Sequence, residues 1–459
     1  MPEAWTEQRV IALAPDAASV KAAQSQANAA KWPMLGRDDN ALWGEVKGSG
    51  KKPYQVRIDL TEPAFKCSCP SRKFPCKHAL GLLLILARQP DAIAIGEPPQ
   101  WVIEWLESRQ QRAEKKQASD QAKASKPVDE KAQAKRIASR EKKVQTGIAE
   151  LRRFLRDVIR QGLADAQTKP FGFWEQMAAR MVDAQAPGLA RRVRTLSQTV
   201  NDGQHWQSRL LRQIARLHLL LEGYTQLENQ PVNMQAELRS QVGWTQSREA
   251  LQDKQSVSGL WCVIGQQVEQ EDKLKTQWTW LSKLDDGAIA LILNFAAGNQ
   301  PLDISLPIGS CFEGHLAYYD GSLPFRAIIT ERSDTLKPIS QLHGYASLTQ
   351  AMQGYAHALA SCPWIDLWPM VLEAVQLIPR RIEKTTTVRW SLRDAVDLEL
   401  PLPQTFTRGW DVLGITSGQP FTMTGLWDGQ QFEPFGILSQ NLYRTWQRHG
   451  SRQVLIGGA

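Results

Sequence analysis

Residues 65–86 read FKCSCPSRKFPCKHALGLLLIL. Within this stretch Cys67, Cys69, Cys76 and His78 follow the spacing C-x-C-x6-C-x-H. Three thiolates and one imidazole fill the tetrahedral sphere of Zn2+ and leave no position open for a substrate, so the pattern points to a structural metal. Residues i and i+2 of a regular strand share a face, yet two ligands of one small ion require the backbone to bend between them. Pro70 and Pro75 flank the connecting loop and restrict it. After His78 the run ALGLLLILA is too short to cross a membrane and has the length of a buried helix. Cys76 and His78 then lie at that helix's N-terminus, where the backbone dipoles favour a thiolate. Metal binding and folding are coupled in such small sites, so replacing any ligand is expected to unfold the finger.

This spacing resembles the SWIM zinc finger, whose pattern is C-x-C-x(n)-C-x-H, with the likeness running from about Leu42 to Leu86 as hairpin, ligand knuckle and helix. The resemblance implies one structural zinc and a role in binding DNA or proteins. The whole chain also looks like bacterial SWIM-finger proteins. Some of those are encoded near MoxR-type AAA+ ATPases and von Willebrand factor A-domain proteins, which makes such an ATPase a candidate partner by analogy.

The chain has 459 residues, 42% of them hydrophobic and 22% charged, a soluble globular composition long enough for two to four domains. Cys262, Cys311 and Cys362 are far apart, and an odd remainder beside a thiolate metal site fits a reducing cytosol. No secretory signal and no membrane span is evident, so a cytoplasmic location is expected. The net charge of +8 is uneven. Residues 47–78 carry eight Lys or Arg against two Asp or Glu, and residues 112–143 eleven against five, so the remainder is net acidic. Around the ligands, Lys51, Lys52, Arg57, Lys66, Arg72, Lys73 and Lys77 are candidates for phosphate contact, since each neutralised phosphate releases counterion. The same charges also form an ordinary solvated surface that offsets the net negative charge of zinc with three thiolates. Phe65 and Phe74 serve either as stacking platforms or as packing.

Read in order, residues 1–40 are an N-terminal extension with a strand at QRVIALA, a helix from Asp16 to about Ala30 and the polar loop KWPMLGRDDN. Residues 41–110 hold the finger and its following helices, with strands at Ala41–Val46 and Tyr54–Leu60. The intervening KGSGKKP imitates a phosphate loop and is not one. Glu45 stands where the first glycine belongs, Lys52 replaces the hydroxyl residue, and a strand follows where a helix must. Residues 111–147 are a basic linker or partly helical arm, and 148–250 an α-helical region of about five amphipathic helices. Its arginine-rich faces (Arg152, Arg153, Arg156; Arg191, Arg192, Arg194) read as exposed helix faces, and His218 as a side chain packed among leucines. A β-rich module over 251–340, a helical section over 341–380 and a β-rich module over 381–459 complete an α+β multidomain chain. Two hairpins share an aromatic-Asp-Gly turn, Tyr319-Asp320-Gly321 and Trp427-Asp428-Gly429, a weak sign of duplication.

No H-E-x-x-H, G-x-S-x-G, dinucleotide fingerprint or calcium loop is present, and no catalytic residue is assigned. The sequence therefore predicts a non-enzymatic zinc adaptor. Its finger binds nucleic acid, DNA first, or else docks protein, the AAA+ ATPase being the analogue-based candidate. A ligand pocket in the β-rich half is a third reading.

Overall fold

The computed structural model describes all residues except 1–4, 6, 15–16, 49–51, 62–63, 72, 74, 112–129, 201–202, 204, 253, 272–273, 299, 301, 382–387 and 447–459. The chain opens with α1 (Glu7–Ala12) and α2 (Ala17–Gln26), so QRVIALA is helix rather than strand. Short apolar runs do not distinguish the two states, and here Val10 settles into a core shared with α3. Then follow β1 (Met34–Arg37), β2 (Ala41–Val46), β3 (Tyr54–Asp59), β4 (Ala64–Cys67), α3 (Lys77–Arg88), β5 (Ala94–Ile95) and α4 over 100–111. The loop expected at KWPMLGRDDN contains β1, which pairs with β2 through Gly36↔Trp43 and Leu35↔Gly44. The five strands form one sheet in the order β4-β3-β2-β1-β5.

The ββα finger is thus embedded in a larger unit. Residues 78–85 of α3 are all buried, because the helix has sheet on one side and α1 and α2 on the other. Gly81 permits that crossing: a Cβ there would stand 2.6 Å from Cβ of Gln26. On the sheet's outer face, α4 packs Val102 against Ala41 and Trp43.

A helical region comes next: α5 (Glu130–Gln161), α6 (Leu163–Ala166), α7 (Phe171–Asp183), α8 (Pro187–Thr199), α9 (Trp206–Thr225), α10 (Val232–Val242) and α11 (Glu249–Gln252). Helix α5 begins well inside the stretch expected to be linker; residues 112–129 lie outside the described residues. Leucines, tryptophans and methionines recurring at three and four converge on one core. Three of the six arginines on those faces are engaged within the protein: Arg194 forks onto Glu175, Arg152 meets Glu222, and Arg192 bonds Gln241; Arg153, Arg156 and Arg191 are exposed, as expected. His218 is 48% exposed beside Glu222 rather than packed among leucines.

The C-terminal half holds β6 (Val257–Glu271), β7 (Leu274–Lys283), β8 (Ile289–Ala297), β9 (Ser310–Tyr318), β10 (Arg326–Arg332), β11 (Lys337–Pro338), α12 (Leu348–Ser361), β12 (Trp368–Arg381), β13 (Val388–Arg393), β14 (Glu399–Pro401), α13 (Gly409–Thr416), β15 (Phe421–Trp427), β16 (Phe432–Ser439) and β17 (Leu442–Thr445). Two corrections arise. The helical section expected over about Leu348–Leu377 is helix only to Ser361; Trp368 onward is strand. Each half of β12 pairs with a single neighbouring strand, β15 and then β13, so Pro369 and Pro379 can sit where a missing N–H faces the open edge. WDVLGI, expected as a strand, forms α13, and Gly409 at its start lies against the Trp390 ring.

The first sheet runs β10-β8-β7-β6-β9-β11, and β10 also pairs with β9. That extra pairing closes β6, β7, β8, β10 and β9 into a five-stranded barrel. Its interior is Trp261, Val263, Leu281, Ile292, Phe312 and Leu316. Strand β6 serves both sides, pairing with β9 over 257–262 and with β7 over 261–271, bent by a bulge between Val263 and Gly265. The second sheet, β14-β13-β12-β15-β16-β17, shares the order of strands three, two, one and four and the pairing of four with five, with β12 as the long bulged strand; its sixth strand pairs with the fifth rather than the fourth. The sheets meet where Phe435 enters the space left by Gly265, whose Cβ would stand 2.1 Å from the ring. Both aromatic-Asp-Gly turns join the fourth and fifth strands of their sheets. The first meets Glu237, Gln246 and Lys254, and the second approaches Arg212 and Tyr355.

Cys262 and Cys311, both buried, face each other across β6 and β9 as a disulfide, which counts against the reducing compartment expected from three separate cysteines. Cys362 lies at the junction of bundle and sheet, where burial and Glu237 push its thiol up to about 12. Arg216 locks the same junction by donating to the carbonyls of Pro363 and Ile365 at 2.9 and 2.8 Å.

Candidate metal centre

Cys67 ends β4, opposite Val56 of β3, on the face that looks toward α3. The chain then leaves the sheet, tied back by Ser68 N–H to the Gln55 carbonyl and by Gln55 N–H to Ser68 Oγ. That bend brings Cys69 round. Cys76 caps α3 and His78 lies in its first turn, both buried. The Ala79 amide in the first turn of α3 faces the Cys76 sulfur and favours its thiolate form.

The four ligand atoms lie within 4.8 Å of one another, and Cys67 Sγ is 3.8 Å from His78 Nδ1. A tetrahedron with metal–sulfur bonds of about 2.3 Å has edges of about 3.8 Å. The donor set therefore fits zinc in both chemistry and size. The Tyr54 ring lies 5.3 Å from the imidazole and covers it. The thiols interact strongly. The hydrogen bond from Cys67 pushes Cys76 down, to about 4, while the same contact with Cys76 drives Cys67 well above the ordinary thiol range, and burial raises Cys69. A divalent cation bound there would supply the positive charge that holds all three sulfurs as thiolates.

Of the seven basic candidates, Lys51 and Arg72 lie outside the described residues, as does Phe74. Lys52, Lys66, Lys73 and Lys77 are exposed around the knuckle. Arg57 has a different role. It faces the outer side of the sheet between Trp43 and Lys66. Its Nη1 donates to the Trp101 carbonyl at 2.7 Å and its guanidinium lies 5.2 Å from the Trp101 ring. Burial lowers its pKa, with Cys67 and Glu104 opposing that shift. Helix α4 is further held by Arg109, whose Nε is 3.1 Å from Asp59. Phe65 is buried against α3, a packing residue. The sequence reading missed the Arg57–Trp101 clasp; the alternation of Trp43 and Arg57 with buried neighbours was its only trace.

Residues 54–87 match the family model for the SWIM zinc finger, and residues 139–242 that for the SWIM-associated four-helix bundle domain. Together the matches cover less than a third of the chain. No curated protein and no solved structure matches it.

Proposed function

From a chain that carries a SWIM zinc finger and the bundle associated with it, we propose a zinc-organised adaptor whose finger offers a basic rim to nucleic acid, DNA first. The carrying observation is the distribution of exposure. Residues 78–85 of helix α3 are all buried, so the body of that helix is not free to enter a groove, whereas Lys52, Lys66, Lys73 and, at the helix start, Lys77 are exposed along the finger. Such a rim contacts phosphates and reads little sequence. Zinc keeps the knuckle in place and takes no part in chemistry, so the protein acts by binding rather than catalysis. Among the described residues no helix is long and apolar enough to cross a membrane.

The test is fluorescence anisotropy of labelled duplex DNA over a salt series, comparing the intact protein with Lys52→Ala/Lys73→Ala/Lys77→Ala and with a deletion of 112–129. The rim variant is expected to weaken binding and to flatten log K against log salt by about 0.9 for each phosphate it no longer neutralises. Unchanged binding in that variant, or none in the intact protein at low salt, contradicts the proposal.

A second reading, protein docking with an AAA+ ATPase as the candidate partner, draws on one residue. Most tryptophans of the C-terminal half are buried, but Trp410 of α13 is 62% exposed against the edge of Trp390. Nuclease-resistant co-purification that is lost in Trp410→Ala supports this reading.

A further inference from the structure

The two C-terminal sheets are variants of one topology. In each, a long bulged first strand pairs with strands two and four, three consecutive strands lie side by side, and an aromatic-Asp-Gly turn joins strands four and five. The first sheet closes by a parallel pairing of β8 with β10, giving the five-stranded Greek-key barrel of the OB type. The second sheet stays open and carries α13 between its third and fourth strands. Topology alone assigns no function. The difference between the two equivalent faces does more.

In the first barrel the outer face of strands one to three is apolar, with Ile264, Trp278, Trp280, Leu291 and Leu293, and the second sheet seals it with Val371, Leu426 and Phe435. The corresponding face of the second sheet, formed by β12, β13 and β14, carries charge instead. Register puts Arg380 directly opposite Arg389, Ile378 opposite Ser391, and Arg393 between Gln376 and Glu399. The intervening residues Leu377, Leu392 and Leu400 are buried on the other side. Two like charges opposite each other across an antiparallel pair are unfavourable in an empty sheet. Arg380 is 63% and Arg393 37% exposed, and Arg389 is exposed as well. Arg393 pairs with the exposed Asp397, a surface contact of the kind that contributes little, while Arg380 forks onto Glu399, which also accepts from Ser391.

We propose that the β12–β13–β14 face binds the sugar-phosphate backbone of single-stranded nucleic acid through Arg380, Arg389 and Arg393. Four residues along a strand span about 13 Å, so Arg389 and Arg393 can meet phosphates about that far apart along one strand. Guanidinium planes supply stacking where the face itself carries no aromatic ring. This face shares no residue with the finger.

The test uses the full chain with fluorescein-labelled oligo(dT) of about twelve nucleotides in a salt series. Arg380→Ala/Arg389→Ala/Arg393→Ala is expected to weaken binding at least tenfold and to flatten log K against log salt by about 0.7 per arginine, about 2 in all. The finger variant Lys73→Ala/Lys77→Ala retains this single-strand binding. Hydrogen exchange on the unmodified protein provides the arm that does not depend on a variant folding: oligo(dT) should protect residues 376–380 and 388–393. Equal binding by the triple-arginine variant, absence of that protection, or displacement of the oligonucleotide by finger substitutions alone would overturn the proposal. So would poly-glutamate binding this face while oligo(dT) does not.

Discussion

Arg57→Ala separates a residue that holds the finger together from one that touches a ligand. Arg57 carries positive charge in the middle of the basic segment, yet its guanidinium is engaged by the Trp101 carbonyl and ring. A hydrogen bond from a charged donor contributes about 1.5–3 kcal/mol and a partly exposed cation–π contact about 0.5–1 kcal/mol. Discounting for the side chain's partial exposure leaves about 2 kcal/mol for the docking of α4 on β2 and β3. That loss raises local opening about 30-fold. Hydrogen exchange followed by mass spectrometry reads it directly: amides of Trp43–Asp59 and of 100–111 should exchange about 30-fold faster, while the bundle over Phe171–Val242 is unchanged. In duplex-DNA titrations the variant should keep the intact protein's salt slope. Unchanged exchange together with a slope lowered by about 0.9 would contradict the clasp and return Arg57 to the phosphate-contacting rim.

Further outcomes follow from the same contacts. Gly188→Ala places a Cβ 2.2 Å from the Gln241 carbonyl oxygen, and backbone cannot yield as a side chain does, so thermal or urea unfolding should show the bundle destabilised by about 3 kcal/mol or more. Glu175, held below the ordinary carboxylate range by the fork of Arg194, stabilises the bundle above the unfolded-state carboxyl value, and this is lost as pH falls through its lower folded value; the gap in urea midpoint between the intact protein and Glu175→Gln should be full at neutral pH and close as pH falls through that lowered value. Chelating the metal should act locally. The core around Leu42, Ile58 and Leu80–Ile85 extends to Val10, Ala23 and Trp32, so residues 64–78 should become protease-sensitive while far-ultraviolet dichroism falls only slightly. That is narrower than the loss of the whole finger expected from the ligand spacing.

The metal centre was legible because its information is local: four ligand residues within twelve positions, two prolines and an apolar helix. The bundle was legible because a period of about 3.6 recurs over each long helix. What the sequence hid depends on partners far along the chain. WPMVLEAVQLIP looks like an interrupted helix until β13 and β15 are seen to pair with its two halves separately. WDVLGI has too few residues to declare a period, and the Trp390 ring decides its state. Arg57 and Arg194 look like rim charges until Trp101 and Glu175 are found beside them. The repeated Asp-Gly turns were visible, but the shared strand order that gives them meaning emerges only from register.

The zinc assignment is decided by the metal content of the full chain, purified without chelator and weighed by native mass spectrometry beside Cys67→Ser/Cys76→Ser. One zinc per chain is expected in the intact protein and none in the variant. An intact protein that takes up no zinc after remetallation, or a variant that retains it, would contradict the assignment of Cys67, Cys69, Cys76 and His78 as its ligands.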